Sequence, residues 1–182
     1  NCAFFQSTNT RTAGFASVNI GAQYELTKIL SILLMFIGAC PGSTGGGIKI
    51  TTFMVLAVTV MCTIRGKNEA VVLRHRFSTP TVYKAFTVAI LAFLLVFVDA
   101  GVISSLNPDI AYLDCLYEAT SAFGTVGLSA NVTPLLDPIS KLILIFTMFI
   151  GRVGPLSFGL SILMRHKSKG DSIYPEGRML IG

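Results

Sequence analysis

Met35-Phe-Ile-Gly38 recurs as Met148-Phe-Ile-Gly151, and the 113-residue offset between the copies also carries Thr12 onto Thr125, Gly14 onto Gly127 and Lys28 onto Lys141. A register kept without a gap from a Thr-x-Gly turn into a long apolar run predicts a duplicated structural unit. Each unit reads as a glycine turn followed by a membrane-length segment. A re-entrant loop before a spanning helix is the order an ion pore needs.

Outward from the first copy, the only charge between Lys28 and Arg65 is Lys49, and the middle of that run is Gly38-Ala-Cys-Pro-Gly-Ser-Thr-Gly-Gly-Gly47. Three consecutive glycines, each about 1 kcal/mol poorer than alanine in a helix, argue against one continuous helix. Two helical pieces are predicted, at 24–38 and 51–64, joined by an irregular loop at membrane depth. Such a loop persists only where protein or water satisfies its backbone groups, so it is expected to line a cavity. Thr79-Pro80 opens a spanning helix that runs to Leu106, with Lys84 near its start and Asp99 inside, and Asn107-Pro108-Asp109 stops it. The segment 112–123 is too short to cross, since about 20 apolar residues are needed for about 30 Å of hydrocarbon. With Glu118 inside it and Gly124-Thr-Val-Gly127 directly after, it reads as a half-membrane pore helix. A third long helix is predicted at 138–164, with Lys141 at its entrance and Arg152 near its centre.

The composition agrees: 52% of residues are hydrophobic and 13% charged, with a mean hydropathy of +0.70. Soluble domains carry about 25% charged residues, so this is the composition of a membrane protein. No basic stretch precedes a short apolar run at the start, so no signal peptide is expected, and the chain reads as a fragment beginning inside an element. Cys2, Cys40, Cys62 and Cys115 are scattered, with no C-x-x-C pair, and are expected to be buried structural thiols. The net charge of +5 is concentrated at 65–84 and after Met164, beside apolar runs. That placement indicates cytoplasmic loops by the positive-inside rule, with membrane lipid and no nucleic acid as partner. Asp109, Asp114 and Asp137 fall on the opposite side and would give an acidic outer mouth. Asn131-Val-Thr133 matches a glycosylation acceptor, a common pattern given little weight.

A cation crossing the bilayer exchanges its water for other oxygens, and backbone carbonyls offer these without fixed charge. Exposing carbonyls along a narrow path needs unusual dihedrals, which glycine allows. Thr125-Val126-Gly127 matches the first three residues of the potassium-channel filter. Its place after a short pore helix, before a long helix and in register with Thr12-Ala13-Gly14, raises that match above chance. The alternative is that both glycines only form turns.

The stretches Thr10-Arg-Thr-Ala-Gly-Phe15, Pro41-Gly-Ser-Thr-Gly-Gly-Gly-Ile-Lys49, Ala122-Phe-Gly-Thr-Val-Gly-Leu128, Met148-Phe-Ile-Gly-Arg-Val-Gly-Pro155 and Tyr174-Pro-Glu together resemble the Trk/Ktr/HKT superfamily of potassium transporters, most closely the bacterial Ktr membrane subunit. The resemblance implies four pore-helix repeats around one pore, of which 1–66 would be the end of the third and 79–166 the fourth. Residues 67–78 would then be a cytoplasmic linker and 167–182 a cytoplasmic tail. The implied fold is an all-α membrane protein, each repeat being a spanning helix, a re-entrant pore helix with filter loop, and a second spanning helix. It makes Thr12, Ala13, Gly14 and Phe15, with Thr125, Val126, Gly127 and Leu128, two of four filter strands. These would bind K+ through carbonyls only, with Na+ as a second possible ion and no further cofactor. It also implies a homodimer and a cytoplasmic nucleotide-binding regulatory ring.

Gly42 to Lys49 departs from a phosphate loop, because Ile48 separates Lys49 from the last glycine and Ile50 takes the place of the Ser or Thr that should directly follow the lysine. The resemblance instead makes Gly42, Ser43, Thr44, Gly45, Gly46, Gly47 and Lys49 an intramembrane gate. A guanidinium at mid-span costs at least about 2.5 to 3.5 kcal/mol, so Arg152 should face a polar interior and have partners. It is expected to oppose cations and to donate hydrogen bonds to the gate carbonyls; pairing with Asp99 is the alternative. An alternating-access cation transporter shares the broken helices and is the second functional reading. A membrane enzyme finds no nucleophile with a paired base, metal cluster or intact phosphate motif to support it.

Overall fold

Apolar runs punctuated by glycine and proline give six α-helices among the described residues, which are 2–16, 18–43, 45–66, 71–72 and 75–154 of this computed structural model. The helices are α1 (Cys2–Asn9), α2 (Glu25–Phe36), α3 (Ile50–Ile64), α4 (Thr79–Leu106), α5 (Tyr112–Gly124) and α6 (Pro138–Val153). Between α3 and α4 a two-residue antiparallel ladder pairs Val71 with Arg76 and Val72 with His75, and a 3-10 turn, Thr133–Leu135, precedes α6.

The duplication is visible in the backbone. α2 starts at Glu25 and α6 at Pro138, which are register-matched positions, and α1 falls on residues 115–122 within α5. The expected break in the first long apolar run is present, with α2 ending at Phe36 and α3 opening at Ile50. α4 has the predicted bounds; its 28 residues at 1.5 Å each reach about 42 Å, enough to cross a bilayer with tilt. It is the one helix among the described residues long and apolar enough to cross, while α3 is shorter and apolar.

α6 is shorter than its sequence suggests. It closes at Val153 where Gly154 takes φ 94, and Pro155 follows, a residue whose ring disfavours the helical region for the one before it. The expected continuation to Met164 lies outside the described residues. Arg152 consequently sits in the last turn of a helix rather than at the middle of one.

α5 is the hub. Its 13 residues extend only about 20 Å, and every residue from Tyr117 through Gly124 is buried. Small residues let neighbours approach closely: Ala92, Val96 and Ala100 of α4 form one apolar cluster with Ala119 and Phe123 of α5. The rest of α5 packs with Met35 of α2, Leu144 of α6 and the apolar residues that follow the second glycine turn. Gly151 sets the α6 contact, since a Cβ there would stand 2.0 Å from the Phe123 carbonyl oxygen. The outward faces of α4 and α6 expose Ile90, Phe93, Leu94, Ile145, Phe146 and Phe149.

Several polar groups in this apolar bundle are paired, as burial demands, while the buried Gln6 amide and Tyr117 hydroxyl have no partner among the described residues. Lys28 of α2 meets Asp114 of α5 at 2.6 Å, so that aspartate is not free at an outer mouth, and Asp137 caps α6 by accepting from Ile139 N at 3.2 Å. Asn107 donates to Ser140 Oγ at 2.9 Å and accepts from Asp137 N at 3.0 Å, joining the end of α4 to the start of α6. Asp99 accepts from Thr147 at 2.5 Å and forms no ion pair with Arg152. The four thiols are not all buried as expected: Cys115 is, Cys62 is half-buried, and Cys2 and Cys40 are exposed.

Candidate functional site

The two Thr-x-Gly turns share a backbone conformation that the sequence register alone could only suggest. Thr12 and Thr125 are both left-handed, at φ 63 and 53, and Gly14 and Gly127 follow at φ 70 and 88. A non-glycine residue there costs about 1 to 2 kcal/mol, and a paired cost held in both copies marks a shape the fold enforces. In the second turn Thr125 N donates to Ala122 O at 3.0 Å and Val126 N to Ser121 O at 2.9 Å, closing α5.

The turns lie side by side. A Cβ on Gly14 would stand 2.6 Å from the Val126 carbonyl oxygen, and one on Gly127 would stand 3.7 Å from the Gly14 Cα. The structure therefore brings the stretches 12–15 and 125–128 together at Gly14, which lies against Val126 and Gly127. Their side chains are treated differently: Val126 and Leu128 are in the core, whereas Phe15 is 71% exposed.

Each turn is held from its own short helix. Asn9 of α1, only 2% exposed, accepts from Phe15 N at 2.9 Å and donates its amide to the Phe15 carbonyl. Glu118 of α5 is buried and accepts from Ser129 Oγ at 2.5 Å, Ala130 N at 3.1 Å and Thr133 Oγ1 at 2.9 Å. Asn131 Nδ2 then donates to Asn19 Oδ1 at 2.6 Å, linking the two segments beyond the turns.

The glycine-rich loop between α2 and α3 folds back on itself. Gly38 N donates to Ile48 O at 2.8 Å and Ile48 N to Phe36 O at 3.2 Å, a parallel bridge that brings the loop ends together. Its return strand was expected to line a cavity and is instead packed against protein, with Gly45, Gly46 and Gly47 buried. Gly46 N donates to Thr125 Oγ1 at 2.9 Å. Glycine is needed for this approach: a Cβ on Gly46 would come within 2.8 Å of the Thr125 side chain, and one on Gly45 within 3.2 Å of the Thr12 side chain. The outgoing part is open, since Gly42 and Ser43 are exposed; Thr44 lies outside the described residues.

The cation holding this loop is not the expected one. Lys49 Nζ donates to Gly45 O at 2.6 Å and reaches Ser43 O at 3.4 Å. Arg152 is exposed and, among the described residues, donates no hydrogen bond to the loop. It borders a cavity of about 650 Å³ lined also by Glu118, Thr125, Gly127 and Ser129. Lys49 is four residues from Gly45 on the same folded-back segment, whereas Arg152, although its neighbour Gly151 and Gly46 both approach the Phe123 carbonyl oxygen, is exposed. Sequence reading missed the roles of Asn9 and Glu118. The available signal was Glu118 itself, a charge in an apolar segment with no cation beside it.

The profile of the cation transport protein family TrkH matches residues 2–171. The chain is 39% identical over 180 residues to the Ktr system potassium uptake protein B of Bacillus subtilis, covering 99% of this chain and 40% of that protein. It is 36% identical over 180 residues to the protein of the same name from Vibrio alginolyticus, covering 99% and 39%. Similarity to the potassium/sodium uptake protein NtpJ of Enterococcus hirae is 34% identity over 183 residues, covering 98% and 41%. The chain thus spans about two-fifths of the length of these relatives.

Proposed function

We propose, from the premise that this chain belongs to the TrkH family of cation transport proteins, that it carries two filter strands and the gate of a channel-like potassium-uptake subunit in the cell membrane. The subunit is multi-pass, with 1–66 and 79–166 as successive pore repeats, 67–78 a cytoplasmic linker and 167–182 a cytoplasmic tail. Carbonyls of Thr12, Ala13, Gly14, Phe15, Thr125, Val126, Gly127 and Leu128 take the place of water around K+. Na+ is the competing ion, in keeping with the potassium/sodium naming of one relative. A homodimer and a cytoplasmic nucleotide-binding ring belong to the same proposal by family resemblance.

Gating rests on one observation: Gly45 and Gly46 lie against the side chains of both turn threonines, with Gly46 N bonded to Thr125 Oγ1 at 2.9 Å. A segment seated there obstructs ions leaving the filter. Gly42, Ser43, Thr44, Gly45, Gly46, Gly47 and Lys49 are the gate, which opens by releasing Thr125 and swinging away. Arg152 contributes a positive charge at the edge of the adjoining cavity, an electrostatic barrier to cations.

The test is potassium uptake by cells lacking their own uptake systems and expressing the full-length protein. Deleting Gly45, Gly46 and Gly47 should raise uptake at equal membrane abundance. Unchanged or lower uptake at that abundance would sink the obstructing role. An uptake rate tied to a second, coupled ion would favour alternating access instead.

A further inference from the structure

Duplication supplied the two turns with like backbones but unlike anchors. By the register of the repeat, Asn9 corresponds to Ala122 and Glu118 to Phe5, so neither anchor has a counterpart in the other copy. Asn9 spends both ends of its amide on one residue, taking the Phe15 N–H and giving to the Phe15 carbonyl. Glu118 spends both carboxylate oxygens on Ser129, Ala130 and Thr133. Ser129 Oγ in turn accepts from Asn131 N at 3.0 Å, which holds Asn131 at its left-handed φ of 66.

We propose that Asn9 and Glu118 are the positioning residues of the filter: Asn9 fixes Phe15, Glu118 fixes the chain from Ser129 to Thr133, and together they set the carbonyl spacing that prefers potassium over sodium. The inference rests on the filter reading above. Discrimination by cavity size and discrimination by the number and field of carbonyl dipoles both require that the carbonyls be held. In this filter they are held just past the two glycines, by buried side chains whose polar atoms are taken up by the segments they hold. The bond from Asn9 fixes the direction of the Phe15 carbonyl and leaves its second lone pair free for the ion. Glu118 acts through geometry, each of its oxygens accepting from a donor on the segment it holds.

The experiment measures the ratio of potassium to sodium uptake, at matched membrane abundance, for the full-length transporter carrying N9A, E118A or E118Q. Glutamine keeps an acceptor for Ser129 and Ala130 and can donate to the Thr133 hydroxyl. N9A and E118A should lower the ratio by about tenfold, the scale seen when groups orienting metal ligands are removed, while E118Q stays within about twofold. A ratio in E118Q as low as in E118A would make the charge the cause and overturn the proposal. Unchanged ratios in N9A and E118A, with flux falling only in step with abundance, would also overturn it. If E118A does not reach the membrane, the S129A/T133V double variant strips the same anchor from its other side and carries the same expectation. G127A separates this proposal from its premise: if that change leaves flux and ratio untouched, the filter reading itself fails.

Discussion

Replacing Lys49 by methionine should open the pore. Lys49 Nζ donates to Gly45 O at 2.6 Å and reaches Ser43 O at 3.4 Å. A hydrogen bond to a charged group contributes about 1.5 to 3 kcal/mol, and the longer contact adds little. Methionine keeps most of the stem, so the loss falls on the closed loop. Lys49 also stands at the N-cap of α3, where a cation is unfavourable by about 0.3 to 1 kcal/mol. That effect is common to closed and open loops and cancels. Closing is therefore weakened by about 1.5 to 3 kcal/mol, or about 10- to 150-fold in the equilibrium. A pore open about 1% of the time would become about 10 to 60% open. The assay is initial-rate potassium or rubidium uptake in cells without endogenous uptake, normalised to transporter in the membrane. K49R is the control, since a guanidinium still donates to carbonyls and should stay near wild type. Equal or slower uptake by K49M at equal abundance refutes the reasoning, because the ammonium would then not be what holds the loop.

Three further outcomes follow from the same geometry. Gly14→Ala imposes a left-handed alanine, costing about 1 to 2 kcal/mol, and sets a methyl 2.6 Å from the Val126 oxygen; potassium transport should be lost and any residual flux should favour potassium less, as read by competitive uptake. Gly151→Ala drives a Cβ to within 2.0 Å of the Phe123 oxygen, backbone that cannot turn aside, and should cost at least about 1 to 3 kcal/mol; a lower melting temperature of the purified full-length protein checks it. Arg152→Ala removes a charge from the cavity edge without touching the loop, so uptake should rise through a lower barrier, more modestly than in K49M. Uptake unchanged by Arg152→Ala would remove the barrier role.

Much of this architecture was legible because it is periodic. The 113-residue offset located both glycine turns, the starts of α2 and α6, and the aligned threonines, whose left-handed conformation only the structure revealed. Proline and asparagine punctuation fixed α4. Overlooked features depended on neighbours distant in sequence or on local signals outweighed by apolar content. The end of α6 is the second kind: Gly154-Pro155 was present, but the hydrophobic run around it suggested continuity. The Lys28–Asp114 pair, the Asn9 anchor and the Glu118 network are tertiary, and no spacing rule reports which donor a buried carboxylate will find. Lys49 was placed in the gate by sequence, yet the loop contact was assigned to Arg152, because depth in the membrane can be read from a sequence while reach across a folded loop cannot. Thiol burial failed similarly, as composition says that Cys2 and Cys40 sit among apolar residues and not which side they present.

The bond from Gly46 N to Thr125 Oγ1 crosses between the two copies of the repeat. On the proposed reading, gate and filter are joined by this bond and are not separable modules. If the loop opens as proposed, the Thr125 hydroxyl loses its closed-state donor, and the filter that ions meet has a different set of restraints from the filter at rest. Grafting residues 125–128 into another scaffold would carry over the filter strand and leave its latch behind.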